Sequence, residues 1–322
     1  GISSSDWDTL SSEEANYPLM NRAIAGMYPS GSTIKALTSF AGLKYGICDG
    51  NSSWYCTGFW TGFGEQYGMH CWLLSGHGTV NLITGITNSC DIVFYEIGKG
   101  FFYNNDHPEG MQETFRAFGL GALSGIDLPE EASGRVPDAE WKWNYFTSSP
   151  DDARKWQGGD NCNLAIGQGD LLVTCLQMAN AYCGIANRGP IYKPHVLKSI
   201  NARNGNGSVI EYKNEVILSP EEKDEHRDIV ARGLYGVVYE ESASQTIHWT
   251  NLDVTVNGKT GTAEQQSIGE PVGWFVGYAP ADKPQYVVAA NLDCAPSGAG
   301  SGMYIVRDVF GAIYNQPDNV GR

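Results

Sequence analysis

Ser32 and Lys35 stand three residues apart in P-S-G-S-T-I-K-A-L-T-S-F, a spacing that puts both side chains on one face of a helix. A serine hydroxyl is a poor nucleophile until a base takes its proton, and a desolvated lysine with a lowered pKa can be that base. An isolated S-x-x-K is most often two residues on a solvated helix. Here it is followed, in order, by S-x-D at Ser89 to Asp91 and by K-T-G at Lys259 to Gly261, and the ordered set points to active-serine acyl transfer. Any fold that serves this chemistry has to bring residues 32, 89 and 259 to one place.

The strings sit in longer stretches: N-R-A-I-A-G-M-Y-P-S-G-S-T-I-K (Asn21 to Lys35), S-C-D-I-V-F-Y-E-I-G (Ser89 to Gly98), N-L-A-I-G-Q-G-D-L-L-V-T-C-L-Q-M-A (Asn163 to Ala179) and N-G-K-T-G-T-A-E (Asn257 to Glu264). Together these resemble the transpeptidase domain of a class B penicillin-binding protein, closest to the elongation type, over nearly the whole chain. Two positions depart from the family pattern. The second motif ends in Asp91 where most relatives have asparagine, aspartate being a variant of the elongation type, and Cys175 stands where a T-P-L-Q string would have proline.

The resemblance implies a mixed α+β fold of the penicillin-binding protein and serine β-lactamase kind, with an antiparallel sheet flanked by helices plus a helical lobe. It would be one transpeptidase domain, its helical lobe roughly 45–195 and its sheet lobe mainly 196–322. Only twenty residues precede the N-R-A-I string, so the family's N-terminal membrane anchor, its pedestal and the first sheet strands are expected to lie outside this chain. The working place would be the extracytoplasmic face of the bacterial cell membrane.

The resemblance also assigns roles. Ser32 attacks the carbonyl of a terminal D-alanyl-D-alanine bond of a peptidoglycan stem peptide, and Lys35 accepts its proton. Ser89 relays a proton toward the leaving amine, and Asp91 orients Lys35. Lys259 supplies positive charge for the substrate carboxylate, which the hydroxyls of Thr260 and Thr262 also bind, while Gly261 lets substrate lie against the strand. The amides of Ser32 and Thr262 form the oxyanion hole. β-Lactam antibiotics would acylate Ser32, and a membrane glycan polymerase of the elongation machinery would be the protein partner. No cofactor is needed for this chemistry.

Composition narrows the alternatives. With 36 acidic against 21 basic residues the formal charge is -15, which repels phosphate backbones and makes nucleic acid a poor partner. G-K-T at Gly258 to Thr260 is no phosphate loop, because the earlier glycine position holds Asp253. There is no G-x-S-x-G elbow and no H-E-x-x-H helix. A β-lactamase shares the three strings, and Glu140 and Asn144 imitate the E-x-x-x-N spacing of its deacylating loop, but the residues around them do not resemble that loop. A non-catalytic β-lactam sensor or scaffold is the other alternative, although every named catalytic residue is present.

Periodicity gives a coarse map. A helix starting near Tyr28 to Gly31 carries Ile34, Leu37, Phe40 and Ala41 on one side, and helices are predicted near Asn81 to Gly98 and Leu171 to Asn187, with Gly- and Trp-rich loops between. Residues 1–16 read as polar and turn-like, and Asn201 to Ser208 as a hairpin-like loop. Val254 and Val256 alternate before Lys259; Trp274 to Tyr278 and Tyr286 to Leu292 read as antiparallel strands. Ile305, Val306, Val309, Phe310 and Ile313 recur at helical spacing and predict a C-terminal helix packed on that sheet.

Eight cysteines invite a disulfide framework. Cys56, Cys71, His77 and Cys90 instead suggest a metal, because they form C-x14-C-x5-H-x12-C in a Gly- and Trp-dense segment too loop-like to order itself by packing. Three thiolates and an imidazole suit a closed structural zinc site, and some elongation-type relatives hold a metal at matching positions with different ligands. A Cys56 to Cys71 disulfide is the alternative, with Cys48 another possible partner. Cys162, Cys175, Cys183 and Cys294 read as small buried hydrophobes.

Overall fold

The computed structural model describes residues 1–12, 14–15, 17–203, 207–240, 249–264, 271–295 and 299–314. Its centre is the helix Lys35–Lys44, in which every residue from Lys35 to Leu43 is buried. The one-sided stripe predicted for this helix is therefore only part of its buried surface. Helices Asp91–Phe102, Gly110–Ala117 and Asp224–Tyr239 pack around it, and small residues such as Ala36, Ser39 and Gly42 admit them. A helix enclosed in this way can hold a lysine out of water.

Beside it lies a three-stranded antiparallel sheet in the order Tyr286–Leu292, Val272–Ala279, Asn257–Ala263. The middle strand is buried at all eight positions, and its alternating side chains serve two cores. Trp274, Val276 and Tyr278 join the main core, while Phe275 joins a second one with Met303, Val306 and Phe310 of the C-terminal helix Ala299–Ile313. The sheet is thus sandwiched, and Asn257–Ala263 stands at its edge. Val254 and Val256 are buried ahead of that strand, which begins only at Asn257.

The main core runs from Tyr28 to Tyr278, so it crosses the expected lobe boundary at residue 195. Helix Asp224–Tyr239 makes the join by packing on both Leu82–Thr87 and the edge strand. The predicted span 81–98 is two helices, Leu82–Thr87 and Asp91–Phe102, broken at Asn88 to Cys90. The span 171–187 shortens to Cys175–Ala186, entered through a capping box of Thr174 and Gln177. Cys175 is therefore the first helical residue, a position whose N–H needs no helical partner and where proline serves equally well.

Four local readings change. Residues Ser4–Ser11 form an exposed helix capped by Ser3, whose side chain accepts from the Asp6 amide at 3.1 Å; polarity hid the cap. The Gly- and Trp-rich loop carries two small antiparallel ladders, Ser53–Cys56 with Gly78–Asn81 and Phe59–Trp60 with Met69–His70. Cys294 is exposed with φ +55°, because it sits in the turn after the last strand and not inside it. Cys175 and Cys183 are half-buried, leaving Cys162 as the fully enclosed one of its set. Ser199–Asn201 and Ser208–Glu211 pair as the expected hairpin.

Candidate active site

Ser32 lies on a single 3-10 turn, Gly31–Ile34, that runs directly into the central helix. Distant parts of the chain hold this turn: Trp274 Nε1 donates to the Pro29 carbonyl at 2.9 Å, Tyr182 OH to the Thr33 carbonyl at 2.9 Å, and the Gly31 amide to the Gly167 carbonyl at 2.9 Å. Gly31 has φ +51°, and a Cβ there would stand 2.7 Å from the Thr262 carbonyl oxygen. A Cβ on Gly261 would reach within 2.9 Å of the Ser30 carbonyl oxygen. Side-chain-free backbone at both places lets the edge strand lie against the Ser32 turn.

Lys35 is fully buried. Its Nζ donates to Asp91 Oδ1 at 2.7 Å, to the Ser89 carbonyl at 2.8 Å and to Ser89 Oγ at 3.2 Å, and it stands 5.1 Å from the centre of the Phe94 ring. The other carboxylate oxygen of Asp91 accepts from the Trp72 amide at 2.8 Å. This accounts for the aspartate in the second motif. Both neighbours are donors, and an asparagine amide has one accepting oxygen where the carboxylate has two.

Ser89 holds φ +51°. It ends helix Leu82–Thr87 in the left-handed conformation, its amide bonding to Ile86 O at 3.1 Å and the next amide to Gly85 O at 2.9 Å. Glycine is the ordinary occupant of such a position, and a side chain there costs about 1 kcal/mol. Ser89→Gly is therefore expected to keep or slightly raise stability in urea unfolding, by up to about 1 kcal/mol. Its acylation rate is expected to fall about 100-fold or more. A variant that is both less stable and fully reactive would contradict the strained-hydroxyl account.

Ser89 and Asp91 line one cleft of about 560 Å³ with Ser32, Thr260, Gly261 and Thr262, and Lys35, buried behind them, meets it through its bonds to Ser89 and Asp91. Lys259 lies on the same strand and is fully buried; its Nζ donates to the Thr260 carbonyl at 3.2 Å and stands 3.5 Å from Thr260 Oγ1, a hydroxyl of a residue that lines the cleft. The sequence reading missed His70, Trp72, Tyr95, Ile166 and Gln168, which with Cys71 complete the walls, and Glu264 at the strand's end. Trp72 follows Cys71, Tyr95 and Gln168 lie inside quoted strings and Glu264 ends one, so membership of or adjacency to a motif was the available signal. Burial holds the Tyr95 phenol well above its usual pKa, and its OH donates to the His70 carbonyl at 3.1 Å. Glu140 and Asn144 are exposed on the helix Ala139–Tyr145 and lie outside the cleft.

The structure brings Cys56, Cys71, His77 and Cys90 together, with one donor atom from each within 4.8 Å of all the others. His77 Nδ1 is 3.5 Å from Cys56 Sγ and 3.6 Å from Cys71 Sγ. A hydrogen bond from the Cys90 thiol lowers the Cys71 pKa to about 5, and the same bond, with burial, holds Cys90 up. All eight cysteines are free, and Cys48 is buried apart from the cluster.

Residues 3–314 match the family described as the penicillin-binding protein transpeptidase domain. The peptidoglycan D,D-transpeptidase MrdA of Acinetobacter baumannii is 31% identical over 96% of this chain and 46% of its own length, so the chain spans about half of that relative. A crystal structure of Pseudomonas aeruginosa PBP2 in complex with WCK 5153 has a TM-score of 0.82 at 28% identity, over 97% of this chain and 67% of the other. A complex of PBP2 with MreC from Helicobacter pylori gives 0.80 at 26% identity, over 98% and 54%. With the mixed fold, the motif order and the cleft in agreement, the chain belongs to the penicillin-binding protein transpeptidase domain family.

Proposed function

We propose that this chain is the transpeptidase domain of an elongation-type, class B enzyme that cross-links peptidoglycan stem peptides and is acylated by β-lactams. The observation that carries the reading is the buried Lys35 Nζ, bonded to Ser89 and Asp91 in the cleft that Ser32 and Thr262 share. When Lys35 is neutral it takes the proton from Ser32 Oγ as that oxygen adds to the carbonyl of the terminal D-alanyl-D-alanine bond. The oxyanion forms between the amides of Ser32 and Thr262, contacts worth about 3 kcal/mol each in comparable sites. The proton passes by way of Ser89 to the leaving amine, D-alanine departs, and a Ser32 ester remains. An amine of a neighbouring stem peptide then attacks the ester and restores Ser32. Thr260 and Thr262 bind the terminal carboxylate in the field of Lys259, and Gly261 leaves room for substrate on the strand.

Asp91 and Trp72 connect this chemistry to the cysteine cluster, which we propose is a structural zinc site of Cys56, Cys71, His77 and Cys90. The fit rests on spacing and chemistry. A tetrahedron with Zn–S near 2.3 Å and Zn–N near 2.0 Å has S···N edges of about 3.5 Å; two of the three such separations, from His77 to Cys56 and to Cys71, are 3.5 and 3.6 Å, and all four donor atoms lie within 4.8 Å of one another. When bound, the metal would supply only a clamp. Cys71 precedes the amide that holds Asp91, and Cys90 lies between Ser89 and Asp91, so the clamp would fix the second motif from behind.

Among the described residues no helix is long and apolar enough to cross a membrane. The peptidoglycan activity in the relatives' names supports placement on the extracytoplasmic face, and the solved PBP2–MreC complex and the peptidoglycan synthase complex that coordinates polymerization and crosslinking support a glycan polymerase and an MreC-like protein as partners. The β-lactamase alternative loses its support with the exposed Glu140. Incubation with a fluorescent penicillin and peptide mapping tests the proposal: a long-lived adduct on Ser32 is expected. An adduct elsewhere refutes the assignment, rapid release favours a β-lactamase, and no adduct favours a scaffold.

A further inference from the structure

The edge strand presents an ordered row to the cleft. Thr260, Thr262 and Glu264 alternate along Asn257–Ala263 and the residue beyond it, and all three line the cavity that holds Ser32. Successive members of such a row are about 7 Å apart. Glu264 is exposed, and among the described residues its carboxylate makes no ion pair. The other acidic group lining the cleft, Asp91, is bonded to Lys35 and Trp72. The strand therefore runs from a buried cation at Lys259 to an unpartnered anion at Glu264.

A donor peptide has its direction on this strand fixed by two points. Its terminal carboxylate goes to Thr260 and Thr262 near Lys259, and its scissile carbonyl goes to Ser32 and the Thr262 amide. The chain upstream of the scissile bond must then run toward Glu264. The residue reaching it is the one before the two D-alanines, which in a stem peptide is a diamino acid with a side-chain ammonium. From the proposed function we infer that Glu264 is a specificity-determining residue that binds this donor ammonium. Strand and peptide are then matched in charge order, cation to carboxylate and anion to ammonium, so a peptide docked backwards would meet like charges at both ends.

The test compares single-turnover acylation of Ser32 by two thiolesters, Nα-acetyl-L-lysyl-D-alanyl-thioglycolate and its Nα,Nε-diacetyl counterpart, followed by intact mass without added acceptor. The free-amine donor should react about fivefold faster at low salt, the range of an exposed ion pair. That ratio should fall toward one in 1 M salt and in Glu264→Gln, and should invert in Glu264→Lys. Equal rates in the native protein, or a ratio that survives Glu264→Gln, overturn the inference. So does an effect of Glu264→Gln confined to transfer onto an added amine, because that places the ammonium on the acceptor. Benzylpenicillin acylation of the native protein separates the two levels: if it labels Ser32 while the thiolester ratio is one, only this inference fails. If neither penicillin nor thiolester labels Ser32, the proposed function fails.

Discussion

Lys35→Arg is expected to lower the rate of Ser32 acylation by benzylpenicillin by about 100- to 10,000-fold, the range lost when a positioned general base is removed. Arginine keeps the charge and length of reach but does not give up its proton at any accessible pH. The variant therefore separates two possible uses of residue 35. If Lys35 contributed only a cation to Asp91, guanidinium would replace it with a modest loss. As a base it must become neutral, and arginine cannot. Because the lysine is fully buried among tightly packed helices, Lys35→Met serves as a control for shape: it should fold, and it too should acylate slowly. Ser32→Ala sets the zero of the scale, with no adduct at all. Near-native labelling of Lys35→Arg would remove Lys35 as the base.

The second large effect is expected from the cysteine cluster. Purified, tag-free protein should contain about one zinc per chain, and a strong chelator should lower the melting temperature by about 4–5 °C, as loss of some 3 kcal/mol of ligand-linked stability does in a domain of this size. Acylation should slow in parallel, since the Trp72 amide that holds Asp91 follows directly on Cys71. Cys71→Ser should reproduce both changes. Metal-free protein with an intact Cys56 to Cys71 disulfide and undiminished reactivity would refute the clamp. Thermal unfolding, elemental analysis and thiol counting on one sample decide among these outcomes.

Much of the site was legible because the motifs name whole side chains at short spacings. Ser32 and Lys35 are one turn apart, Ser89 and Asp91 flank a single residue, and each pair has one function that its local geometry dictates. The cysteine cluster was legible for the opposite reason: three thiols and an imidazole in a segment with little else to order it leave few uses. The depth of Lys259 was not. K-T-G gives the identity of the strand, but the full burial of residue 259 depends on the partner strand and on the helix Asp224–Tyr239 packed against it. Nor could the sequence reveal that Trp72 acts through its backbone amide, because every residue but proline has one. The left-handed Ser89 was hidden likewise, since it is a helix ending that normally advertises itself with glycine. In the fold, the C-terminal helix and the two last strands followed from their periods, whereas the helix Ser4–Ser11, with no buried residue, left no apolar pattern to read.

The nucleophile turn is held by a residue 245 positions later in the chain, through Trp274 and the Pro29 carbonyl. Chains emerge N-terminus first and long-range contacts form late, so the Ser32 turn is made early and lacks its supporting strand until most of the polypeptide exists. On the proposed function, reactivity toward penicillin would consequently report on completed folding. A nascent chain ending before residue 274 carries every proposed catalytic side chain and both threonines, yet should remain unlabelled.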